Sequence, residues 1–271
     1  MFFLMTTLQY PNCKVVVFIE ACFLTVILRC KNELTHFIHY LITVIMETNN
    51  RTKVYNVIIL DKSGSMSSIT KQAIDGVNET IASIKRGQEL HPEQDNILTL
   101  VAFCGCELRK IYEQTPIAEV TPITERDYRP CCMTPLYDAV GNTITAVHRL
   151  MEGDNNAIAS VTVITDGYEN ASKEYSHAAL KSLIEAYKSE GWLFAYIGAD
   201  HDVEAVAFNL SIDNHMAFEK TEEDTARMFD EFQSCRINYI NDMAFMMCSE
   251  EIDADEKREV LRKRSLDFFK K

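Results

Sequence analysis

The feature that most constrains this chain is a regular alternation of short apolar runs with longer segments of helical spacing. Val54 to Leu60, Ile97 to Phe103, Val161 to Ile164 and Trp192 to Ile197 are rich in β-branched, aliphatic and aromatic residues. That composition suits strands buried on both faces. Between the first two runs, Ile69, Ala73, Ile74, Val77, Ile81 and Ile84 share one side of a helix, with Gly87 expected as its stop. Helical spacing returns at 136–151, 176–188, 203–209 and 222–246, and Met216 to Phe218 reads as an edge strand. Leu108 to Ile111 reads as an antiparallel strand returning after the turn at Gly105, and residues 113–133, with Pro116, Pro122 and Pro130, read mainly as loop. The pattern predicts an α/β fold: a doubly wound, Rossmann-like, mainly parallel sheet with helices on both faces and one short antiparallel edge strand. Ligands of such sheets sit beyond the carboxyl ends of the strands. The polar turns at Asp61, Asp166 and Asp200 each follow a strand run, so the alternation itself gathers them on one rim.

The net charge of -13 narrows the partners. A surface this acidic repels phosphate backbones, which argues against nucleic-acid binding. The 9 cysteines form no regular framework, and several lie within apolar runs. The expectation is a reducing, cytoplasmic setting with mostly buried thiols. Residues 1–50 form an apolar extension whose densest stretches are Val15 to Ile19 and Phe23 to Leu28. Lys14, Glu20, Arg29, Lys31 and Glu33 interrupt it, leaving no clean window of ~20 uncharged residues for a membrane span. Three readings follow, in order: translation begins at Met46; the segment is a marginal membrane anchor; it is a cleaved signal, disfavoured because residues 2–13 carry no Lys or Arg. Residues 51–245 carry the α/β pattern. Residues 246–271 read as a charged, solvated helical tail in which Lys257, Arg258, Arg262, Lys263 and Arg264 are balanced by nearby acids.

The segment that carries chemistry is Asp61-Lys62-Ser63-Gly64-Ser65-Met66. Asp61 closes a strand. Ser63 and Ser65 stand two apart around Gly64, so both hydroxyls can turn into one pocket, and the following helix offers free N–H groups. Thr134, in Cys132-Met133-Thr134-Pro135-Leu136-Tyr137-Asp138-Ala139, precedes a helix, and Asp166 ends a strand in Thr165-Asp166-Gly167. Hydroxyl and carboxylate oxygens are hard ligands that select Mg²⁺, Mn²⁺ or Ca²⁺.

The D-x-S-x-S at Asp61, the T-P-L-x-D-A at Thr134 and the T-D-G at Asp166, in that order and spacing, resemble the metal-ion-dependent adhesion site of von Willebrand factor A domains. The resemblance covers roughly residues 54–210. Thr165-Asp166-Gly167-Tyr168-Glu169-Asn170 and the stretch from Gly191-Trp192 to Gly198-Ala199-Asp200 are similar to bacterial members. The resemblance implies that Ser63, Ser65 and Thr134 ligate a divalent ion, Mg²⁺ first, while Asp61 and Asp166 hold it through waters or hydrogen bonds. It also implies an open coordination position for a Glu or Asp of a protein partner, and recognition without catalysis. The competing reading at these positions is that an Asp or Ser caps its strand–helix turn and Thr134 caps its own helix.

Other signals weigh less. A phosphotransferase of the haloacid dehalogenase type places a second Asp where this chain has Ser63, and a serine hydroxyl is a poor proton donor near neutral pH. A metal-dependent hydrolase or phosphotransferase using the same rim stays as the alternative, and a regulatory subunit coupled to an ATPase as a third reading. Neither a G-x-S-x-G elbow nor a phosphate loop is present. Asp200-His201-Asp202 reads chiefly as a helix cap, with a second cation or a groove contact as alternatives. Cys104-Gly105-Cys106 and Cys131-Cys132 lack the C-x₂₋₄-C spacing usual for zinc and read as small residues near a sheet edge. Oxidation of Cys131 or Cys132, so close to Thr134, is expected to disturb the site there.

Overall fold

The computed structural model describes residues 4–10, 13–20, 23–27, 51–154, 156–199, 202–247 and 254–269. The chain divides into two units, Met1–Arg51 and Thr52–Lys271. In the first, β1 (Leu4–Tyr10), β2 (Cys13–Glu20) and β3 (Phe23–Ile27) form an antiparallel sheet in sequence order. Tyr10 faces Cys13 and Glu20 faces Phe23 across the two ladders. The apolar stretches of the extension thus lie largely in strands, and no helix among the described residues is long and apolar enough to cross a membrane. Met46 and the residues around it lie outside the described set.

In the second unit the strands are β4 (Thr52–Asp61), β5 (Gln94–Cys104), β6 (Glu107–Pro116), β7 (Ala157–Thr165), β8 (Leu193–Ala199) and β9 (Asn214–Phe218). The helices are α1 (Thr70–Leu90), α2 (Leu136–Met151), α3 (His177–Ser189), α4 (Val203–Asn209), α5 (Glu222–Met247) and α6 (Ala254–Leu266). The sheet runs β6-β5-β4-β7-β8-β9. Every neighbouring pair is parallel except β5–β6. This is the doubly wound, mainly parallel α/β arrangement.

Strand β4 shows why. Its side chains alternate between two cores, as a period of two requires. Val54, Ile58 and Leu60 join Ala73, Val77 and Ile81 of α1 and Phe229 and Phe232 of α5. Tyr55, Val57 and Ile59 join Val140 and Ile144 of α2 and Leu180 and Ile184 of α3 on the other face. Val57, Ile58, Ile59 and Leu60 are each at most 1% exposed. Full burial of an aliphatic side chain is worth about 1.5–3 kcal/mol, so this strand alone anchors the sheet centre.

Three expectations change. Helix α1 does not stop at Gly87 but runs to Leu90. Gly87 lies inside the helix, where an added Cβ would sit at an ordinary contact distance of 3.5 Å from Ile240 Cδ1. Strand β6 extends through residues 113–116, which read as loop from sequence. It is an edge strand with mostly exposed side chains, and its register shifts opposite Leu98 to Val101, so no apolar alternation marked it. The tail is not simply solvated, because Leu261 of α6 and Phe268 just beyond it are buried in the α1–α5 core. Asp202 does cap α4, accepting from Ala205 N at 3.0 Å, whereas Asp200 and His201 lie outside the described residues.

Candidate metal centre

Asp61 is the last residue of β4, and Asp166 immediately follows β7, the adjacent parallel strand. Both carboxylates therefore reach the same rim. The Asp61 side chain is fully buried. Its Oδ1 accepts from Ser63 N at 2.7 Å and its Oδ2 from Thr165 Oγ1 at 2.6 Å. The first of these bonds folds residues 61–63 into an Asx turn. The chain then enters a short 3-10 turn, Gly64–Ile69, ahead of α1. The result places Ser63 Oγ and Ser65 Oγ 3.1 Å apart. Ser65 Oγ donates to Asp166 Oδ1 at 2.6 Å, linking the first loop to the second. Burial pushes the Asp61 carboxyl above its ordinary value, against the lowering effect of the Thr165 and Ser63 hydrogen bonds. From below, Tyr128 Oη donates to the Asp61 carbonyl at 2.7 Å.

Thr134 arrives from a third loop and is buried. Its backbone is clamped by Asn170: Thr134 N donates to Asn170 Oδ1 at 2.8 Å, and Asn170 N donates to Thr134 O at 3.1 Å. Glu169 extends the clamp, accepting from Tyr137 N in the first turn of α2 and from Ala171 N and Ser172 N in its own loop. Thr134 does not cap its helix: Pro135 holds the N-cap position of α2, and no side chain caps it. Its Oγ1 faces inward. The point where a side chain on Gly167 would start is 3.7 Å from Ser65 Oγ and 3.8 Å from Thr134 Oγ1. Asp61, Ser63, Ser65 and Asp166 thus form one hydrogen-bonded chain, with Thr134 facing it across Gly167.

Several residues that complete the arrangement carried no assigned role in the sequence reading. Thr165, Glu169 and Asn170 belong to the same T-D-G-Y-E-N phrase as Asp166, and their polarity beside a strand end was the available signal. Lys220, in the connection between β9 and α5, had none. Its Nζ lies 2.7 Å from Asp166 Oδ2, an oxygen buried with the rest of that carboxylate. Asp166 is therefore ion-paired, while Asp61 is a buried carboxylate met by an N–H and a hydroxyl.

The donor set fits a hard divalent cation. All five predicted residues present oxygen, three as neutral hydroxyls and two as carboxylates. Ser65, with Gly64 beside it, is solvent-exposed, which opens the cluster outward. Met133 and Tyr168, each 55% exposed, flank Thr134 and Gly167 on that surface.

No protein-family model matches the chain, and no curated protein matches it. Solved structures do match. A von Willebrand factor type A protein from Catenulispora acidiphila is 14% identical, covering 95% of this chain and 45% of its own, with a TM-score of 0.41. The manganese-loaded TRAP protein of Plasmodium vivax is 16% identical over 67% of this chain and 74% of that one, with a TM-score of 0.43. The vWF domain of the type V pili tip protein Mfa5 from Porphyromonas gingivalis is 12% identical over 75% of this chain and 99% of that one, with a TM-score of 0.46. This chain spans less than half the length of the Catenulispora protein. The α/β assignment rests on strand order and register rather than on these likenesses.

The cysteines depart from expectation. Cys104 and Cys235 are buried, but Cys106 and Cys132 are exposed and Cys131 is half-buried. Hydrogen bonding from Cys106 and Cys131 pushes the Cys132 thiol up to about 12.

Proposed function

We propose that this chain is a von Willebrand factor A-like recognition module that binds one divalent cation of the Mg²⁺, Mn²⁺ or Ca²⁺ class and, through it, an acidic residue of a protein partner. The observation that carries the reading is the meeting of oxygens from three loops at one sheet rim: Ser63 and Ser65, Thr134, and Asp166, with Asp61 beneath. When bound, the cation supplies a hard Lewis-acidic contact for an aspartate or glutamate.

The chain's own residues do the rest. Ser63, Ser65 and Thr134 offer neutral hydroxyl oxygens, which leave the ion short of negative charge, and a partner carboxylate makes up the difference. Asp61 fixes Ser63 by accepting from its backbone N–H, and Asp166 accepts from the Ser65 hydroxyl, so these carboxylates position the serines by hydrogen bonds. Asn170 and Glu169 fix the Thr134 loop, so little ordering is left to be done on binding. Exposed Met133 and Tyr168 provide apolar and aromatic surface beside the polar centre, a combination common at protein interfaces. Recognition without turnover is favoured because, among the described residues, the groups bonded to Asp61 and Asp166 are hydroxyls, an N–H and an ammonium rather than an imidazole or a carboxyl poised as a general acid.

The test is Mn²⁺ titration of the full chain followed by electron paramagnetic resonance, repeated with an Asp- or Glu-bearing peptide series. One saturable site is expected, lost in Asp61→Ala and in Thr134→Ala, with acidic peptides binding only to the Mn²⁺-loaded chain. Unchanged Mn²⁺ affinity in Asp61→Ala, or hydrolysis of phosphate or ester substrates that depends on these residues, overturns it.

A further inference from the structure

Four cysteines that sequence spacing separates into two unremarkable pairs meet beside the oxygen site. Cys104 ends β5, and Cys106 is the second residue of the two-residue turn, Gly105-Cys106, that leads into β6. Cys131 and Cys132 lie in the loop that leads to Thr134. Gly105 brings the two segments together: its N–H donates to Met133 O at 2.8 Å, and an added Cβ would stand only 3.2 Å from Met133 N and Cβ. Cys131 N donates to Lys62 O at 2.7 Å and Gly64 N to Cys132 O at 3.0 Å, so the cysteine loop is pinned from both sides.

The sulfurs converge as a result. Cys104 Sγ and Cys131 Sγ are 3.6 Å apart, and Cys106 Sγ and Cys132 Sγ are 2.9 Å apart. Cys104, Cys131 and Cys132 hold their sulfurs within 4.8 Å of one another. Cys132 has φ 67, a left-handed conformation rare outside glycine. In an extended chain Cys131 and Cys132 would point to opposite sides; the left-handed residue lets both serve one cluster. Such strain at a non-glycine residue is characteristic of ligand-holding sites.

We propose that Cys104, Cys131 and Cys132, with Cys106 as the fourth ligand, form a tetrahedral thiolate site for a thiophilic d¹⁰ cation, Zn²⁺ first, chemically distinct from the oxygen site on the neighbouring loop. Four sulfurs each about 2.3 Å from a tetrahedral zinc stand about 3.8 Å from one another. The 3.6 Å pair already has that spacing, and the three-sulfur group lies within 4.8 Å. The 2.9 Å pair has to open, and Cys106, whose sulfur stands outside the three-sulfur group, has to swing toward Cys104 and Cys131, a rotation its exposed position on the hairpin turn allows. Each thiol gives its proton to solvent as its sulfur–metal bond forms, and no oxidation state changes. All-sulfur ligation selects zinc-like ions over the hard cations suited to Ser63, Ser65 and Thr134. The site does not depend on the function proposed for those oxygens.

The experiment is titration of the full-length, reduced chain with Co²⁺, read by its thiolate-to-cobalt charge-transfer absorption, followed by displacement with Zn²⁺. The proposal expects one equivalent of thiolate-bound Co²⁺, displaced stoichiometrically by Zn²⁺ and not by Mg²⁺. Cys106→Ser and Cys132→Ser, both at exposed positions, are each expected to weaken Zn²⁺ at least about tenfold, as loss of a ligand should. Asp61→Ala keeps the full signal, which separates this site from the oxygen site. Absence of a charge-transfer band at one equivalent overturns the proposal. So does a chain isolated with a Cys106–Cys132 disulfide that, once reduced, binds no Co²⁺ through sulfur.

Discussion

Replacing Asp61 with asparagine tests the oxygen site most sharply, because its effect should change with the cation. Without metal, the substitution removes a fully buried negative charge. Two charge-assisted hydrogen bonds, from Ser63 N at 2.7 Å and Thr165 Oγ1 at 2.6 Å, become neutral ones. That weakening costs on the order of 1 kcal/mol per bond. Against it stands the desolvation of an ionised carboxylate, several kcal/mol in protein interiors. The Asp61 carboxyl is pushed up by burial in spite of its hydrogen bonds, so desolvation is the larger of the two. A raised folded pKa means stability that is fully present below the ordinary carboxylate value and lost as pH rises through the folded one; the native chain carries that cost at neutral pH. Thr165 Oγ1 can turn to accept from the new amide, since Gly167 O lies 3.3 Å away to take its proton. In EDTA, Asp61→Asn is therefore expected to melt at or above the native temperature. With Mg²⁺ at ~100 times its dissociation constant, the native chain gains about 2.7 kcal/mol by mass action. For a domain of this size that raises the melting temperature by roughly 5–11 °C. Asp61→Asn should lose most of that rise. Differential scanning fluorimetry at constant ionic strength, in EDTA and in MgCl₂, reads both arms. A variant that melts well below native in EDTA, or that keeps the full Mg²⁺ shift, refutes the reasoning.

Lys220→Met should act in both directions: the apo chain loses about 2 kcal/mol as buried Asp166 is left unpaired, while Mn²⁺ binds on the order of tenfold tighter because a competing positive charge is gone; Mn²⁺ titration and urea melts measure the two. Asn170→Ala removes the partner of Thr134 N, costs about 1–2 kcal/mol, and should shrink the Mg²⁺-dependent melting shift without touching Asp61. Gly76→Ala drives a Cβ to within 2.2 Å of three Phe229 ring atoms. Overpacking of about 1–3 kcal/mol then opposes a helix-propensity gain of ~1 kcal/mol. Urea denaturation should show net destabilisation with the Mg²⁺ shift intact.

The sheet was legible from sequence because β4, β5, β7 and β8 are buried on both faces and so must be continuously apolar. Strand β6 was only partly legible for the opposite reason: an exposed edge puts no demand on its side chains. Gly87 misled because glycine stops a helix only where the backbone turns left-handed, and here the helix continues through it, with His91 N donating to Gly87 O. At the site, the strand-end rule placed Asp61 and Asp166, and the motif placed Ser63, Ser65 and Thr134. Lys220 and the cysteine cluster escaped because each is a contact between distant segments that share no local pattern. Cys104 and Cys131 look like small residues until Gly105 lays one loop against the other.

The loop at residues 131–134 is where these observations meet. Its backbone bonds to Lys62 and Gly64 on one side and to Gly105 on the other, and it ends at Thr134. The acidic surface attracts divalent ions everywhere, so net charge cannot be what makes the rim selective. Selectivity has to come from how firmly the hydroxyls are held, and a loop of short polar and sulfur side chains has little core of its own to hold it. Backbone hydrogen bonds to three separate segments, residues 62–64, Gly105 and Asn170, supply that rigidity from outside. A metal held by the four thiols would add a covalent-strength staple across the same junction and leave Thr134 Oγ1 less freedom. Occupancy of the sulfur site should therefore tighten the oxygen site. Because coupling between two ligands is reciprocal, saturation with Mg²⁺ should tighten Zn²⁺ by the same factor, and equal Zn²⁺ affinity with and without Mg²⁺ would show that the loop is already rigid without either ion.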